Sequence, residues 1–365
     1  MLIWGHKRIL MIIEDLDIKI TKVAKSKLDA AEGLELQFGK TFTDHMFIAD
    51  YEDGQWTNLE IKPFQNIEMS PATSFIHYGQ SIFEGLKAHA TDEGEILIFR
   101  PQANAARLNS SARRLCMAEL PEDIFISSIK TLVDLDRNWM PKGEESSLYI
   151  RPFMFGTAEF LGVKPSGKYR FMVILSPSGA YYSKPVRVKI ETKYSRAMEG
   201  GVGAAKTSGN YAASLLPARE GFEAGYDQLL WTDAKTHTRI EESGTMNAMF
   251  VLDGKVITPK TSTSILSGIT RDSILTIARE WGYDVEERDV MVSELKSGLE
   301  NGTLTEAFGV GTAATIAHIS EIGIDGTDYL LPNLEGREFS NKMANYLNNL
   351  KRGREEDTNN WLFKV

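Results

Sequence analysis

The chain has 365 residues, 42% hydrophobic and 25% charged, with 50 acidic against 41 basic side chains and a net charge of −9. That length suggests about two domains with a large buried core, and the acidic balance argues against a nucleic-acid partner, which needs a basic face. No apolar run approaches the ~20 residues of a membrane-spanning helix, and with Cys116 as the only cysteine no intrachain disulfide can form, which points to a reducing, cytoplasmic setting.

Residues 1–10 carry charges in their middle and lack an adequate apolar stretch and a cleavage site, so they read as an extension, with Met11 an alternative start, and not as a signal peptide. Gly39-Lys40-Thr41 imitates the end of a P-loop, but Gly33 is one residue too far upstream. Strand-like runs rich in β-branched and aromatic residues follow at 96–100, 147–155 and 169–175. Cys116 lies in a helix-like run, where a packed small hydrophobe is expected. The turn-rich stretch from Ser176 to Pro185 is the best boundary. Beyond it come strand-like runs at 186–190 and 228–231, and Asp253-Gly254 is a strong hairpin signal between two more. Ile274, Ile277, Ala278 and Trp281 share one helix face, and Met343, Tyr346, Leu347 and Leu350 repeat the spacing. Short strands, hairpins and helices in this mixture favour an α+β fold over a strictly alternating one. The expected organisation is an entry segment over 1–30, a smaller domain over 31–176, a linker over 177–185 and a larger domain over 186–365.

The six histidines are scattered without metal-ligand spacing, so no metal site is expected, and no Gly-x-Ser-x-Gly elbow is present. Gly309-Val310-Gly311-Thr312-Ala313-Ala314 matches a dinucleotide fingerprint, yet residues 315–319 look like a strand where that fingerprint must open a helix. A nucleotide-binding protein is therefore the alternative reading. The same turn could serve as an anion nest with a threonine hydroxyl beside it. Leu266-Ser267-Gly268-Ile269-Thr270 precedes an amphipathic helix, with Thr270 expected as its N-cap and a phosphate suited to the helix start. Glu241 and Glu242 sit at a strand end; one of them, if buried, needs a cationic partner such as a protonated ring nitrogen. Lys206 lies in Gly200-Gly201-Val202-Gly203-Ala204-Ala205-Lys206-Thr207-Ser208-Gly209-Asn210-Tyr211. Glycines there let the backbone come close to a bound group, and a desolvated lysine becomes a Schiff-base nucleophile. Each signal alone has a plainer reading as a loop, a capped helix or a solvated acid pair. Together, an amine, a carboxylate and two phosphate-binding turns are the requirements of pyridoxal phosphate.

At these residues the chain resembles the branched-chain-amino-acid aminotransferases of the fold-type IV (class IV) pyridoxal-phosphate family. The resemblance runs from Phe38-Gly39-Lys40-Thr41-Phe42 through Tyr78-Gly79-Gln80-Ser81-Ile82-Phe83-Glu84-Gly85-Leu86-Lys87 and Tyr149-Ile150-Arg151-Pro152 to the Lys206 segment. It continues through Glu242-Ser243-Gly244-Thr245 and Gly268-Ile269-Thr270 to Gly311-Thr312-Ala313, covering roughly residues 30 to 365. It implies a two-domain α+β fold of the D-amino-acid aminotransferase type and transamination of leucine, isoleucine or valine with 2-oxoglutarate in a ping-pong cycle. The cofactor would alternate between pyridoxal and pyridoxamine phosphate. Lys206 would bond the cofactor, Glu242 meet its ring nitrogen, and Tyr211 its phenolic oxygen. Arg100, Ile269, Thr270 and Thr312 would hold its phosphate. Thr245 and Ala313 match substrate-side positions; Phe42, Tyr78, Phe83 and Tyr181 match the side-chain pocket, and Arg151 with Tyr149 the part that admits glutamate. Leu161 and Val163 match a loop that reaches the neighbouring subunit's site, implying a homodimer. D-amino-acid aminotransferases and aminodeoxychorismate lyases share this fold. Mammalian members carry a Cys-x-x-Cys pair where this chain has Ala314 and Ala317, and the segment from Tyr181 to Lys206 looks shorter here.

Overall fold

The computed structural model describes residues 16–31, 36–179, 182 and 184–365. Two nine-stranded sheets organise them. In the first, Gln55–Pro63, His45–Glu52, Tyr169–Ser178, Ser147–Gly156, Leu86–Ala90 and Ile96–Phe99 lie side by side, all antiparallel, with Ser81–Phe83 pairing off Ser147–Gly156. Helices Pro101–Arg114 and Glu122–Leu135 cover this sheet, and Phe125, Leu132, Phe47, Phe171 and Ile150 form its core.

In the second sheet the order is Ile240–Ser243, Gln228–Thr232, Val186–Glu191, Thr315–Ile324, Leu304–Gly311, Met246–Leu252, Lys255–Pro259 and Val285–Arg288. Ile240–Ser243 also pairs with Met246–Leu252, which closes six of these strands into a ring. All seven residues of Met246–Leu252 are buried. Ala248, Phe250 and Leu252 join one apolar cluster while Met249 and Val251 join another, so alternate side chains feed cores on opposite faces. Helices Ile269–Glu280 and Glu338–Lys351 cover the second cluster through Ile274, Ile277, Met343 and Leu347, the positions whose spacing marked an apolar stripe. The hairpin stands at Asp253-Gly254, where both residues have positive φ (50° and 75°), as a type I′ turn requires.

Two local expectations change and a third holds. Thr270 is not the N-cap: Gly268 takes that place with extended backbone, so Thr270 lies one residue inside the helix. Cys116 is not a packed hydrophobe. The helix ends at Arg114, Met117 N–H returns to the Ala112 carbonyl and Cys116 N–H to that of Arg113, leaving Cys116 left-handed (φ 52°) and exposed while Met117 is buried. As the strand-like residues 315–319 led one to expect, the Gly309–Ala314 motif joins two strands, Leu304–Gly311 and Thr315–Ile324, and does not open the helix a dinucleotide fingerprint needs.

The chain passes from the first sheet to the second between Ser178 and Val186. It also crosses back: Leu362–Lys364 pairs antiparallel with Ile96–Phe99 at the edge of the first sheet. Just before that strand, Arg352 donates to the carbonyls of Gly143 and Ser146, and Arg354 pairs with Asp92 and Glu144. No helix among the described residues is long and apolar enough to cross a membrane.

Candidate active site

The lysine loop is fastened to the first sheet by its backbone. Lys206 N–H donates to Ser111 Oγ (3.0 Å), its carbonyl accepts from Phe83 N–H (3.0 Å), and Thr207 bridges Ile82. Asn210 Nδ2 donates to the carbonyls of Val202 and Ala205, so the glycine-rich stretch is tied down from behind. Gly203 is there because nothing larger fits: a Cβ would stand 2.4 Å from the Ser264 carbonyl oxygen. With the backbone fixed, Lys206 Nζ reaches 2.8 Å from the Tyr211 hydroxyl and lies over the Phe83 ring at 4.7 Å.

Opposite stands Glu242, whose side chain is buried on the strand Ile240–Ser243. Its Oε1 accepts from Leu266 N–H at 2.6 Å, and its Oε2 lies 3.2 Å from Arg196 Nε in an ion pair without hydrogen-bond alignment. Burial pushes the Glu242 carboxyl above its usual range, against the opposing charge of Arg196. Its neighbour Glu241 is raised by burial too, and Ser264 Oγ donates to it at 2.5 Å.

Lys206, Tyr211, Glu242, Thr245, Ile269, Thr270, Thr312 and Ala313 line one cavity of ≈ 720 Å³, together with Phe83, Tyr149 and Arg151. That is the size of a small-molecule site. The N-terminus of the helix Ile269–Glu280 opens onto it, offering unpaired N–H groups and the positive end of the dipole. Asn247 Nδ2 donates to the Leu266 carbonyl and fixes the turn that leads into the helix. Arg100, itself left-handed (φ 50°), reaches the same helix from outside: it donates to Ser273 Oγ (2.7 Å), pairs with Asp272 (2.7 Å) and stacks on Trp361. It does not line the cavity. On the far wall Arg151 donates to the Tyr149 hydroxyl (2.9 Å) and lies across Phe83 and Tyr149, its Nε buried and without a partner.

Comparisons with known proteins agree with this arrangement. The family model for amino-transferase class IV matches residues 81–322. The chain belongs to the class IV aminotransferases. A Staphylococcus aureus (strain MRSA252) protein named "Probable branched-chain-amino-acid aminotransferase" is 47% identical over 94% of this chain and 96% of its own. Among solved structures, the branched-chain aminotransferase of the thermophilic archaeon Thermoproteus uzoniensis with norvaline superposes with a TM-score of 0.73, at 25% identity, over 87% of this chain and 99% of that one. A T.th. branched-chain amino acid aminotransferase complexed with N-(5′-phosphopyridoxyl)-L-glutamate gives 0.70 at 26% identity, over 87% and 97%.

Not every expected residue of this class IV aminotransferase reaches the cavity. Phe42 stacks on Phe64 (5.0 Å) and Phe38, four residues earlier, takes the wall position, edge-on to Tyr149 at 4.7 Å. Tyr78, Leu161 and Val163 point to solvent, the last 88% exposed. Tyr181 lies outside the described residues. Two arginines were missed. Arg107 lines the cavity, binds Glu84 through two 2.8 Å hydrogen bonds and donates to the Ser267 carbonyl (3.1 Å). Burial raises the Glu84 carboxyl, but the charge and hydrogen bonds of Arg107, with Lys206 and Asn104 beside them, more than offset it, and the pKa falls below the usual value. The sequence hint for Arg107 is that it lies on the helix Pro101–Arg114, which begins directly after the candidate residue Arg100. Arg196 carried no such signal, because its partner Glu242 is distant in sequence.

Proposed function

We propose that this chain is a pyridoxal 5′-phosphate-dependent transaminase that moves the amino group of L-leucine, L-isoleucine or L-valine to 2-oxoglutarate, in the cytoplasm and as a homodimer. The observation that carries the reading is the placement of Lys206 Nζ, the buried Glu242 carboxylate and a helix N-terminus around one cavity. Those three groups fit the cofactor: an amine for its aldehyde, an anion for its ring nitrogen and N–H groups for its phosphate. The relatives' names supply the substrate class, and the phosphopyridoxyl compound held by the T.th. protein supports the cofactor. The domain division at 177–185 is part of this proposal.

When bound, the cofactor supplies an electron sink for the carbon that loses its proton. Lys206 Nζ would be the base that takes the Cα proton and gives it to the carbon on the other side of the amino nitrogen, so that the proton lost at one carbon is gained at the other. Tyr211, in hydrogen-bond contact with that nitrogen, keeps it aimed. Ile269, Thr270 and Thr312 would hold the phosphate, with Arg100 bracing the helix of the first two from outside. Thr245 and Ala313 face the substrate. Phe83 and its aromatic neighbours take the aliphatic side chain, while Arg151 and Tyr149 at the same wall meet the second carboxylate of glutamate. Phe38 takes the wall place in the side-chain pocket that the resemblance gives to Phe42, Tyr181 completes that pocket, and Leu161 and Val163 of each subunit reach the other's site.

Lys206→Ala should abolish transamination of L-leucine and the borohydride-stable attachment of pyridoxal phosphate to the protein. Retention of both would refute the assignment. Glu242→Gln should lower turnover sharply while the protein still takes up the cofactor.

A further inference from the structure

Arg196 joins three segments that each carry part of the site. Its guanidinium pairs with Glu242 and donates to the carbonyls of Gly203, at 3.3 Å, and Ser264. Gly203 belongs to the lysine loop, and Ser264 leads into the turn at Leu266 whose N–H binds Glu242. Both charged side chains are nearly sealed from solvent, Arg196 at 9% and Glu242 at 4% exposure. A small cavity of ≈ 20 Å³ lies behind the carboxylate, lined by Arg196, Asn210, Ser214 and Glu242, room for about one water and no more. A buried carboxylate without a cation would take up a proton, so the partner that keeps it charged matters as much as the carboxylate.

We propose that Arg196 is a positioning residue for the proposed transamination: it holds Glu242 charged and turned toward the cavity, and sets its distance from the lysine loop. The inference rests on the pyridoxal-phosphate reading. Arg196 does not line the large cavity and acts through Glu242. The planar fork is needed because one group must meet a carboxylate and two carbonyls at once, which a lysine ammonium at the end of a flexible chain does poorly.

The test is a titration of apoprotein with pyridoxal phosphate between pH 5 and 9, read by the visible absorption band and by quenching of tryptophan fluorescence, beside thermal unfolding of the apoprotein. Charged groups near Glu242 are Arg196, Lys206 and Glu241, with Arg239 and Asp233 acting on Glu241. In Arg196→Gln, Glu242 should hold its proton to higher pH. Cofactor affinity should therefore fall by about tenfold or more at neutral pH, and its decline on acidification should move up by about one pH unit. Arg196→Lys should restore the pH position but only part of the affinity. In a Glu242→Gln background, the further change Arg196→Gln should leave the pH dependence unmoved. Wild-type pH dependence in Arg196→Gln, or an equal shift with and without Glu242, would overturn the proposal; if Arg196→Gln does not fold, Arg196→Lys decides, and unaltered affinity there overturns it. Failure of the wild-type protein to bind the cofactor would instead refute the pyridoxal-phosphate reading itself.

Discussion

Gly203 shows how much of this site depends on single atoms. An added methyl would meet the Ser264 carbonyl oxygen and Cα and the Ala197 Cβ, all within 2.6 Å, and two of those three are backbone. Gly203→Ala should therefore cost about 1–3 kcal/mol of stability, as overpacking does, and loosen the loop that presents Lys206. Urea denaturation and cofactor titration together check it: loss of stability with unaltered affinity would mean the loop recovers its place. Lys206 and Glu242, which both line the cavity, were legible as candidates because the proposed chemistry demands particular residue types in particular settings. Phe38 was overlooked for Phe42 since both are aromatic residues of one short segment, and only the stacking of Phe42 on Phe64 separates them. Arg196 was illegible for a different reason: a buried cation announces itself only when its carboxylate is known to be buried beside it.

At the scale of elements, periodicity and turn chemistry served well. The apolar stripe of the helix Ile269–Glu280 and the double positive φ of the Asp253-Gly254 turn follow from local rules that tertiary packing did not overrule. The helix start was misplaced by two residues, because a glycine in extended conformation can cap without any side-chain oxygen. That shift has a consequence for Thr270. Since it is not the cap, Thr270→Ala removes no helix-starting interaction, and apoprotein stability should hold. The hydroxyl lost to the phosphate should weaken cofactor retention by roughly fivefold, the worth of one hydrogen bond of about 1 kcal/mol. Dialysis followed by absorbance measures the retention, and an equal drop in apoprotein melting temperature would show that Thr270 serves the helix after all. Sheet order was beyond local rules entirely. Nothing in residues 362–364 hints that they pair with a strand more than 260 positions earlier.

Across the whole molecule, a buried group of basic residues lies between the two halves. Lys351, at the end of the last helix, is buried and donates to Thr315 Oγ1 (2.8 Å), while Lys87 from the first sheet donates to the Ala313 carbonyl. Burial, with help from Lys87, pulls the Lys351 pKa down to about 7, and burial brings Lys87 to about 8. His89 beside them is buried with both ring nitrogens unpartnered, and Arg352 adds a further positive charge. In the unfolded chain a lysine holds its proton to about pH 10.4. Between about pH 7 and 10 the unfolded state thus binds more protons than the folded one, and stability rises with pH through that window. The destabilising effect is fully present below pH 7. Lys351→Met should accordingly compare best with the parent near pH 6, its relative advantage shrinking toward pH 10. Urea midpoints at pH 6, 8 and 10 measure this, and a pH-independent difference would contradict it.

The return of the C-terminal strand to the first sheet has a mechanical meaning. A chain that crosses between its halves once can swing about the crossing. This chain crosses before Val186 and again ahead of Leu362, and the second crossing is riveted by Arg352 and Arg354. The halves are joined at two places, so a swing between them must bend the chain at both crossings at once. Such a swing has one axis, the line through the two crossings, where a single crossing would leave the halves free to turn in any direction.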